Sequence, residues 1–147
     1  MGRIPTADAL LRRGISVHSP NCRLCGVEEE SADHLFVNCR VAMEVWEWLW
    51  SWCRVPSRTF ANIEEILVLV NNWGGGGKKR KVLIACCYGV LWRLWLARNE
   101  RVFQNRISSA SRIMDDIISL VFMWFKHRGK LVNCNWNVWC VSPFDCL

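Results

Sequence analysis

The sequence predicts a mostly α-helical protein, in which a small metal-stapled N-terminal lobe is followed by a helical lobe of about three helices. Apolar residues recur every three or four positions in several stretches, which is the period of an amphipathic helix. Cysteine and histidine residues cluster between positions 22 and 39, and four consecutive glycines occupy positions 74–77. Because such glycine runs are typical of flexible linkers, we expect the chain to divide there. The predicted parts are a lobe at 1–53, a short helix and linker at 54–77, a helical lobe at 78–130 and a tail at 131–147.

The clustered cysteines and histidine have the spacing C-x2-C-x8-H-x4-C, with candidate ligands Cys22, Cys25, His34 and Cys39. Three thiolates and one imidazole complete a tetrahedral zinc site and leave no coordination position open for a water molecule. A redox C-x-x-C pair or ordinary buried cysteines are the alternative, but a thioredoxin-like motif would need a βαβ context. We therefore predict one structural Zn²⁺, with Gly26 providing the left-handed turn residue after the first ligand pair.

The other cysteines favour a reduced, intracellular protein. The total of nine cysteines is odd and no secretory signal opens the chain. Packed thiols are therefore expected at the six remaining positions, Cys53, Cys86, Cys87, Cys134, Cys140 and Cys146. The longest apolar run, 82–92, is shorter than the about 18 residues that a membrane span needs, so we expect no membrane partner.

Two short helices and one longer one are predicted before the glycine run. Residues 6–13 should form a helix with Thr6 as N-cap and with Leu10 and Leu11 facing inward. Residues 63–70 should form another, capped by Asn62. Between them, residues 41–53 should bury one apolar face, formed by Ala42, Val45, Trp46, Leu49 and Cys53. The other tryptophans of this helix, Trp48, Trp50 and Trp52, favour core packing over a stacking platform for bases.

Two long helices are predicted after the glycine run. In the first, 82–104, the period places Trp92, Trp95, Leu96, Asn99, Val102 and Phe103 on a buried face, opposite Arg93, Glu100, Arg101 and Gln104. The second, 111–128, contains Asp115 and Asp116 near its N-terminus. This pair resembles the paired aspartates of reverse transcriptases in sequence, but a helical setting is unsuited to that metal site. Residues 132–141 are expected to form a strand or an extended tail, with Trp136 and Trp139 docked on the protein.

Charge is distributed unevenly and places the candidate nucleic-acid contact in the C-terminal half. The whole chain carries a net charge of +6, and residues 78–147 alone contain twelve basic and four acidic side chains. The basic tetrad Lys78, Lys79, Arg80 and Lys81 suits a phosphate contact or a nuclear localisation signal, although a solvated helix start explains it equally well. Residues 28–30, three glutamates, are expected to form an exposed acidic loop tip that repels phosphate.

Several of these motifs together resemble a known family. Residues 4–15 read IPTADALLRRGI, residues 22–26 read CRLCG, and DHLF at 33–36 is followed by Cys39 and by Ala42-x3-Trp46. This pattern resembles the reverse transcriptase zinc-binding domain of plant LINE-type (non-LTR) retrotransposon polyproteins, over residues 3 to about 53. The segment 92–103 also looks like the helical region that follows this domain. The resemblance implies the same four zinc ligands, and implies a fragment without the family's polymerase and ribonuclease H domains.

The sequence therefore predicts a zinc-binding accessory module that contacts the backbone of RNA or DNA with low specificity. The alternative is a structural or protein-interaction module in which zinc only stabilises the fold. An enzyme is not expected, because the zinc site is closed and no nucleophile lies beside a base. No small-molecule substrate is predicted, and the basic tetrad makes the nucleus a candidate compartment.

Overall fold

A computed structural model describes residues 4–128 and 133–147. Over these residues the fold is helical and contains no named strand, which confirms the predicted fold class. The α-helices are α1 (Ala7–Arg12), α2 (Arg40–Trp52), α3 (Ile63–Asn71), α4 (Gly77–Gln104), α5 (Ala110–His127) and α6 (Trp136–Val141). A π-helical turn, His34–Asn38, precedes α2, and a 3-10 turn, Pro143–Cys146, follows α6. None of the described helices combines the length and the apolar character that crossing a bilayer requires.

Helix α1 has the predicted ends but buries a different face. Thr6 is the residue before the helix, and Gly14 after it has a φ of +74°. The prediction that Leu10 and Leu11 face inward is wrong for Leu11, which is 48% exposed, and Leu10 is only partly buried. Ala7 is buried instead, because its N–H donates to the carboxylate of Glu30 and this contact turns the alanine side of the helix inward.

Helix α2 forms the centre of the core as its apolar period predicts. All five residues of the predicted face are buried, and the indole of Trp46 donates to the carbonyl oxygen of Phe36 at 2.7 Å. Trp50 and Trp52 also pack in the core, as expected, whereas Trp48 is 42% exposed. Helix α3 begins where the sequence predicts, with the Asn62 side chain accepting from the backbone N–H of Glu65.

The buried face of α4 differs from the predicted one. Phe103 is 78% exposed and Trp92 is 51% exposed, although both belong to the predicted apolar face. Arg93, predicted to face solvent, is buried and pairs with Asp116 of α5 at 2.7 Å. The core side of α4 consists of smaller residues, chiefly Val82, Leu83, Cys86, Cys87, Val90, Leu94 and Ala97. The small residues allow close packing, which a face built from tryptophans would prevent.

Helices α4 and α5 pack closely against each other at Gly89. A Cβ atom there would lie 3.0 Å from a methyl group of Val121 and 3.5 Å from one of Ile117. Helix α5 confirms the helical setting predicted for Asp115 and Asp116, and Ser109 caps it by accepting from the N–H of Arg112. The division of the chain into lobes stays a prediction.

The predicted strand or extended tail at 132–141 is wrong for residues 136–141, which form helix α6. Position 132 lies outside the described residues. Asn135 accepts from the N–H of Val138 and starts α6. Trp139 is fully buried against Trp52, and Trp136 is 41% exposed but contacts Phe122 of α5 with ring centroids 5.2 Å apart, so both tryptophans dock on the protein as predicted. The side-chain cap and the anchoring of Trp139 together favour a helical turn over a strand without a pairing partner.

The cysteine predictions hold in part. Cys53, Cys86 and Cys87 are buried free thiols, as expected. Cys134 and Cys146, expected to be packed thiols, are bonded as a disulfide, and Cys140 is an exposed thiol. The turn that carries Cys146 packs back on α6, which brings two distant positions of the tail together in a way that spacing alone does not predict.

Candidate metal centre

The first two candidate ligands lie in a tight loop that residues 20–30 form before the π-helical turn. The N–H of Cys22 donates to the carbonyl of Glu28 at 2.7 Å, and Asn21 forms an isolated antiparallel bridge with Glu29. The N–H of Gly26 donates to the carbonyl of Cys22 at 2.8 Å, and Gly26 has a φ of +74°, as predicted. A side chain is disfavoured in this left-handed conformation, so glycine allows the turn that holds both sulfurs on one side.

The second pair of ligands lies at the two ends of the π-helical turn. The N–H of Cys39 donates to the carbonyl of His34 at 2.6 Å, a bond that spans five residues. Residues five apart share one face of a π-turn, whereas an α-helix would rotate them apart. The π-helical turn therefore brings His34 and Cys39 to one face, and Ser31 supports its start by accepting from the N–H of His34.

The four predicted ligands meet at one point. All their ligand atoms lie within 4.8 Å of one another. The Cys22 and Cys39 sulfurs are 3.9 Å apart, and the Cys25 sulfur is 3.3 Å from Nε2 of His34. A tetrahedral zinc with the usual bond lengths separates two sulfurs by about 3.8 Å and a sulfur from a nitrogen by about 3.5 Å. The donor set and its spacing therefore fit Zn²⁺.

The Glu28 carboxylate contacts the ring nitrogen of His34 that faces away from the cysteine sulfurs. Nδ1 of His34 lies 3.3 Å from the Glu28 carboxylate, which leaves Nε2 directed at the cysteine sulfurs. Carboxylates that accept from a ligand histidine fix its ring and tautomer and strengthen its donation to a metal. Cys22, His34 and Cys39 are buried and Cys25 is partly buried. The sequence did not predict this role of Glu28, although a carboxylate between the C-x2-C pair and the histidine is a candidate partner for the ligand histidine.

The hydrogen bond between Cys22 and Cys39 moves their pKa values in opposite directions. It raises the pKa of Cys22, with burial adding to the effect, and it lowers the pKa of Cys39. A proton is therefore held more tightly on Cys22 than on Cys39. Binding of zinc requires both sulfurs as thiolates, so that proton is released when the ion binds.

Glu28 and Glu29 are exposed, as the predicted acidic tip requires, but the prediction is wrong for Glu30. Glu30 is 1% exposed, and the guanidinium of Arg98 donates to its carboxylate at 2.7 Å. The same carboxylate accepts from the backbone N–H groups of Ala7 and Arg23. With Glu28 beside His34, only Glu29 of the three glutamates is both exposed and without an ion pair in the described structure. Glu30 thus joins the metal loop, α1 and α4, a role that an EEE run does not reveal.

The basic tetrad occupies the first turn of α4. All four side chains are exposed, and the ammonium of Lys79 lies 5.5 Å from the ring centroid of Phe144. The turn contains no acidic residue, and the N-cap residue Gly76 has no side chain with which to cap it. The structure therefore places the tetrad on the surface at a positively polarised helix end.

Comparison with known proteins supports the zinc assignment. Residues 1–46 match a protein-family model described as zinc-binding in reverse transcriptase. The match covers about a third of the chain and includes all four candidate ligands. No curated protein and no solved structure matches the chain. The N-terminal part thus carries the features of a reverse transcriptase zinc-binding domain, with a donor set suited to one ion.

Proposed function

We propose that this chain is a non-catalytic accessory module that grips the backbone of RNA or DNA, derived from a plant LINE-type retrotransposon polyprotein. Zinc would cross-link the two halves of the N-terminal loop; with four protein ligands around it, the ion keeps no position for substrate. The helical setting of Asp115 and Asp116 supports the absence of polymerase chemistry. Primer extension with Mg²⁺ should give no product, and extension that Asp115→Asn abolishes would contradict this part of the proposal.

The proposal of nucleic-acid binding rests on the basic tetrad at residues 78–81. Four cations in the first turn of a helix face the positive end of the helix dipole, so they disfavour the helix. Their charges therefore do not stabilise α4 through its dipole, and a phosphate ligand would offset the repulsion. The exposed backbone N–H groups of an uncapped first turn add donors for the same ligand.

The test is a titration of labelled RNA and of DNA with the zinc-loaded full chain at several salt concentrations. We expect binding whose log K falls with log salt by roughly 0.7–0.9 for each phosphate contact. Replacing residues 78–81 by alanine should weaken binding and flatten this slope, because the contacts are lost. Arg58→Ala removes an exposed arginine outside the tetrad and should change neither quantity. Tight binding that residues 1–53 retain alone would contradict the placement of the contact in the C-terminal half.

Protein interaction is the second candidate function, and one surface favours it. A cavity of about 780 Å³ lies between α4, α5 and the N-terminal segment, and its lining is apolar. It includes the exposed Trp92 together with Trp95, Trp124, Tyr88 and Ile4. Exposed apolar surfaces of this kind mark partner sites in many proteins. Under this alternative, the titration should show little binding at physiological salt and no effect of replacing the tetrad.

A further inference from the structure

We infer that a second phosphate-binding site for nucleic acid lies in a cleft between the metal loop and the C-terminal end of α4, lined by Arg23, Arg40, Arg101 and Arg106. This inference rests on the proposed function, to which it adds a contact distinct from the basic tetrad. The cleft has a volume of about 360 Å³. That is near the lower end of the about 300–1,000 Å³ typical of ligand sites, so it suits a short stretch of an extended strand.

The arginines converge on the cleft from three parts of the chain. Arg23 lies in the metal loop between two ligands, Arg40 begins α2, and Arg101 and Arg106 flank the end of α4. No carboxylate is among the residues that line the cleft. Their convergence is a product of the fold, since the four are spread over 84 positions of the sequence.

The lining keeps a positive charge when the metal is bound. Zn²⁺ with three thiolates and a neutral imidazole carries one negative charge, which the four guanidinium groups outnumber. One arginine is therefore enough to balance the net charge of the zinc site, which leaves three positive charges. The rest create a positive potential that attracts an anion.

The arginine side chains are available to a ligand. Within the described chain, no ion pair involves any of the four. Arg101 is positioned by Asn105, whose side-chain oxygen accepts from it at 2.6 Å and which has a left-handed φ of 52°. Arg93 and Arg98 of the same helix, by contrast, are buried in ion pairs and cannot contact nucleic acid. In the described structure no carboxylate neutralises the four guanidinium groups that line the cleft.

A nucleic-acid phosphate is the ligand that this chemistry favours. Guanidinium groups bind phosphate oxygens in bidentate pairs, which makes arginine the preferred residue for oriented phosphate contacts. The polar groups of Ser19, Asn21 and Ser108 line the same cleft and suit the sugar hydroxyls of a strand. None of the three glutamates at 28–30 lines the cleft, and Glu30 is buried in its ion pair with Arg98.

Two double variants of the full-length chain test the inference, one on each wall of the cleft: Arg23→Gln with Arg40→Gln, and Arg101→Gln with Arg106→Gln. With a dye-labelled single-stranded RNA, each should lower the salt slope by about 1.4, since each contact contributes about 0.7. If a double variant and the unaltered protein bind equally at 1 M salt, the variant should bind roughly 25-fold more weakly at about 0.1 M salt, because two contacts are lost. Both variants should retain one zinc per chain, and Arg58→Gln should bind as the unaltered protein does.

Each remaining outcome overturns the inference. Unchanged affinity and slope in both double variants, while replacement of residues 78–81 weakens binding, would refute the cleft and leave the proposed function standing. Equal weakening by Arg58→Gln would show a response to net charge and not to a site. Absence of any binding by the unaltered zinc-loaded protein would refute the cleft and the proposed function together.

Discussion

The metal loop and the α4–α5 helix pair are held together by different means. The loop at residues 20–39 has four converging ligands and a few backbone hydrogen bonds, and its only large buried apolar side chains are at its C-terminal end. The helix pair has a continuous core in which Leu94, Ile113 and Ile117 are fully buried. A segment this short buries little apolar surface of its own, so we expect a bound zinc ion to supply part of the stability that a core supplies elsewhere. Loss of the ion should therefore affect one region and spare the other.

Removal of zinc should have the largest effect and should separate the two regions. Cys25→Ser or His34→Ala should abolish metal binding and destabilise the loop, because the apparent free energy of zinc binding in small zinc modules is about 10–16 kcal/mol. Metal analysis combined with amide hydrogen exchange should show rapid exchange at residues 20–39 and retained protection in α4 and α5. Cys140→Ser is the matched control, since this exposed thiol lies outside the cluster. Full zinc occupancy in a Cys22→Ser, Cys39→Ser protein would refute the assigned ligands.

Breaking the Glu30–Arg98 ion pair should have the next largest effect on stability, because this pair joins the metal loop to α4. Arg98→Met should lower the free energy of unfolding by about 3–5 kcal/mol, since it leaves a buried carboxylate without its partner. Adding Glu30→Gln should restore part of that loss, because the buried charge is then removed as well. Urea unfolding followed by tryptophan fluorescence would measure both.

The exposed pair between Arg12 and Asp8 is the control for this comparison. Arg12 is 73% exposed on its side chain, so Arg12→Met should change stability by at most about 1 kcal/mol. An Arg98→Met protein as stable as the Arg12→Met protein would show that the pair does not couple the regions.

Trimming the helix core should have the smallest effect and should spare the metal. Ile117→Val removes one buried methyl group and should cost about 0.5–1.5 kcal/mol in unfolding free energy. Zinc content should remain one ion per chain, because no ligand lies on α5. Met123→Ala on the exposed side of the same helix should stay within about 0.5 kcal/mol. Loss of zinc in Ile117→Val would mean that the metal loop depends on the helix core.

The cluster of four candidate metal ligands was predictable from the sequence, whereas the buried face of α4 was not. Ligand type and spacing identify Cys22, Cys25, His34 and Cys39 because zinc accepts few donor sets and few chain geometries. The period of α4 identifies a helix, but it does not determine which of two apolar faces is buried when tryptophans occur on both sides. Gly89 lies on the buried face, where α5 packs so closely that an added Cβ atom would lie 3.0 Å from a methyl group of Val121.

By itself, the sequence determined the helical class, the four candidate metal ligands, the cap at Asn62 and the excess of positive charge in the C-terminal half. These follow from local chemistry: a period, a spacing or a side chain beside its own backbone. Only the tertiary structure decided that Glu30 pairs with Arg98, that Cys134 bonds to Cys146, and that four distant arginines share a cleft. Each of these depends on how separate elements pack, because buried charges and converging cations are defined by neighbours distant along the chain.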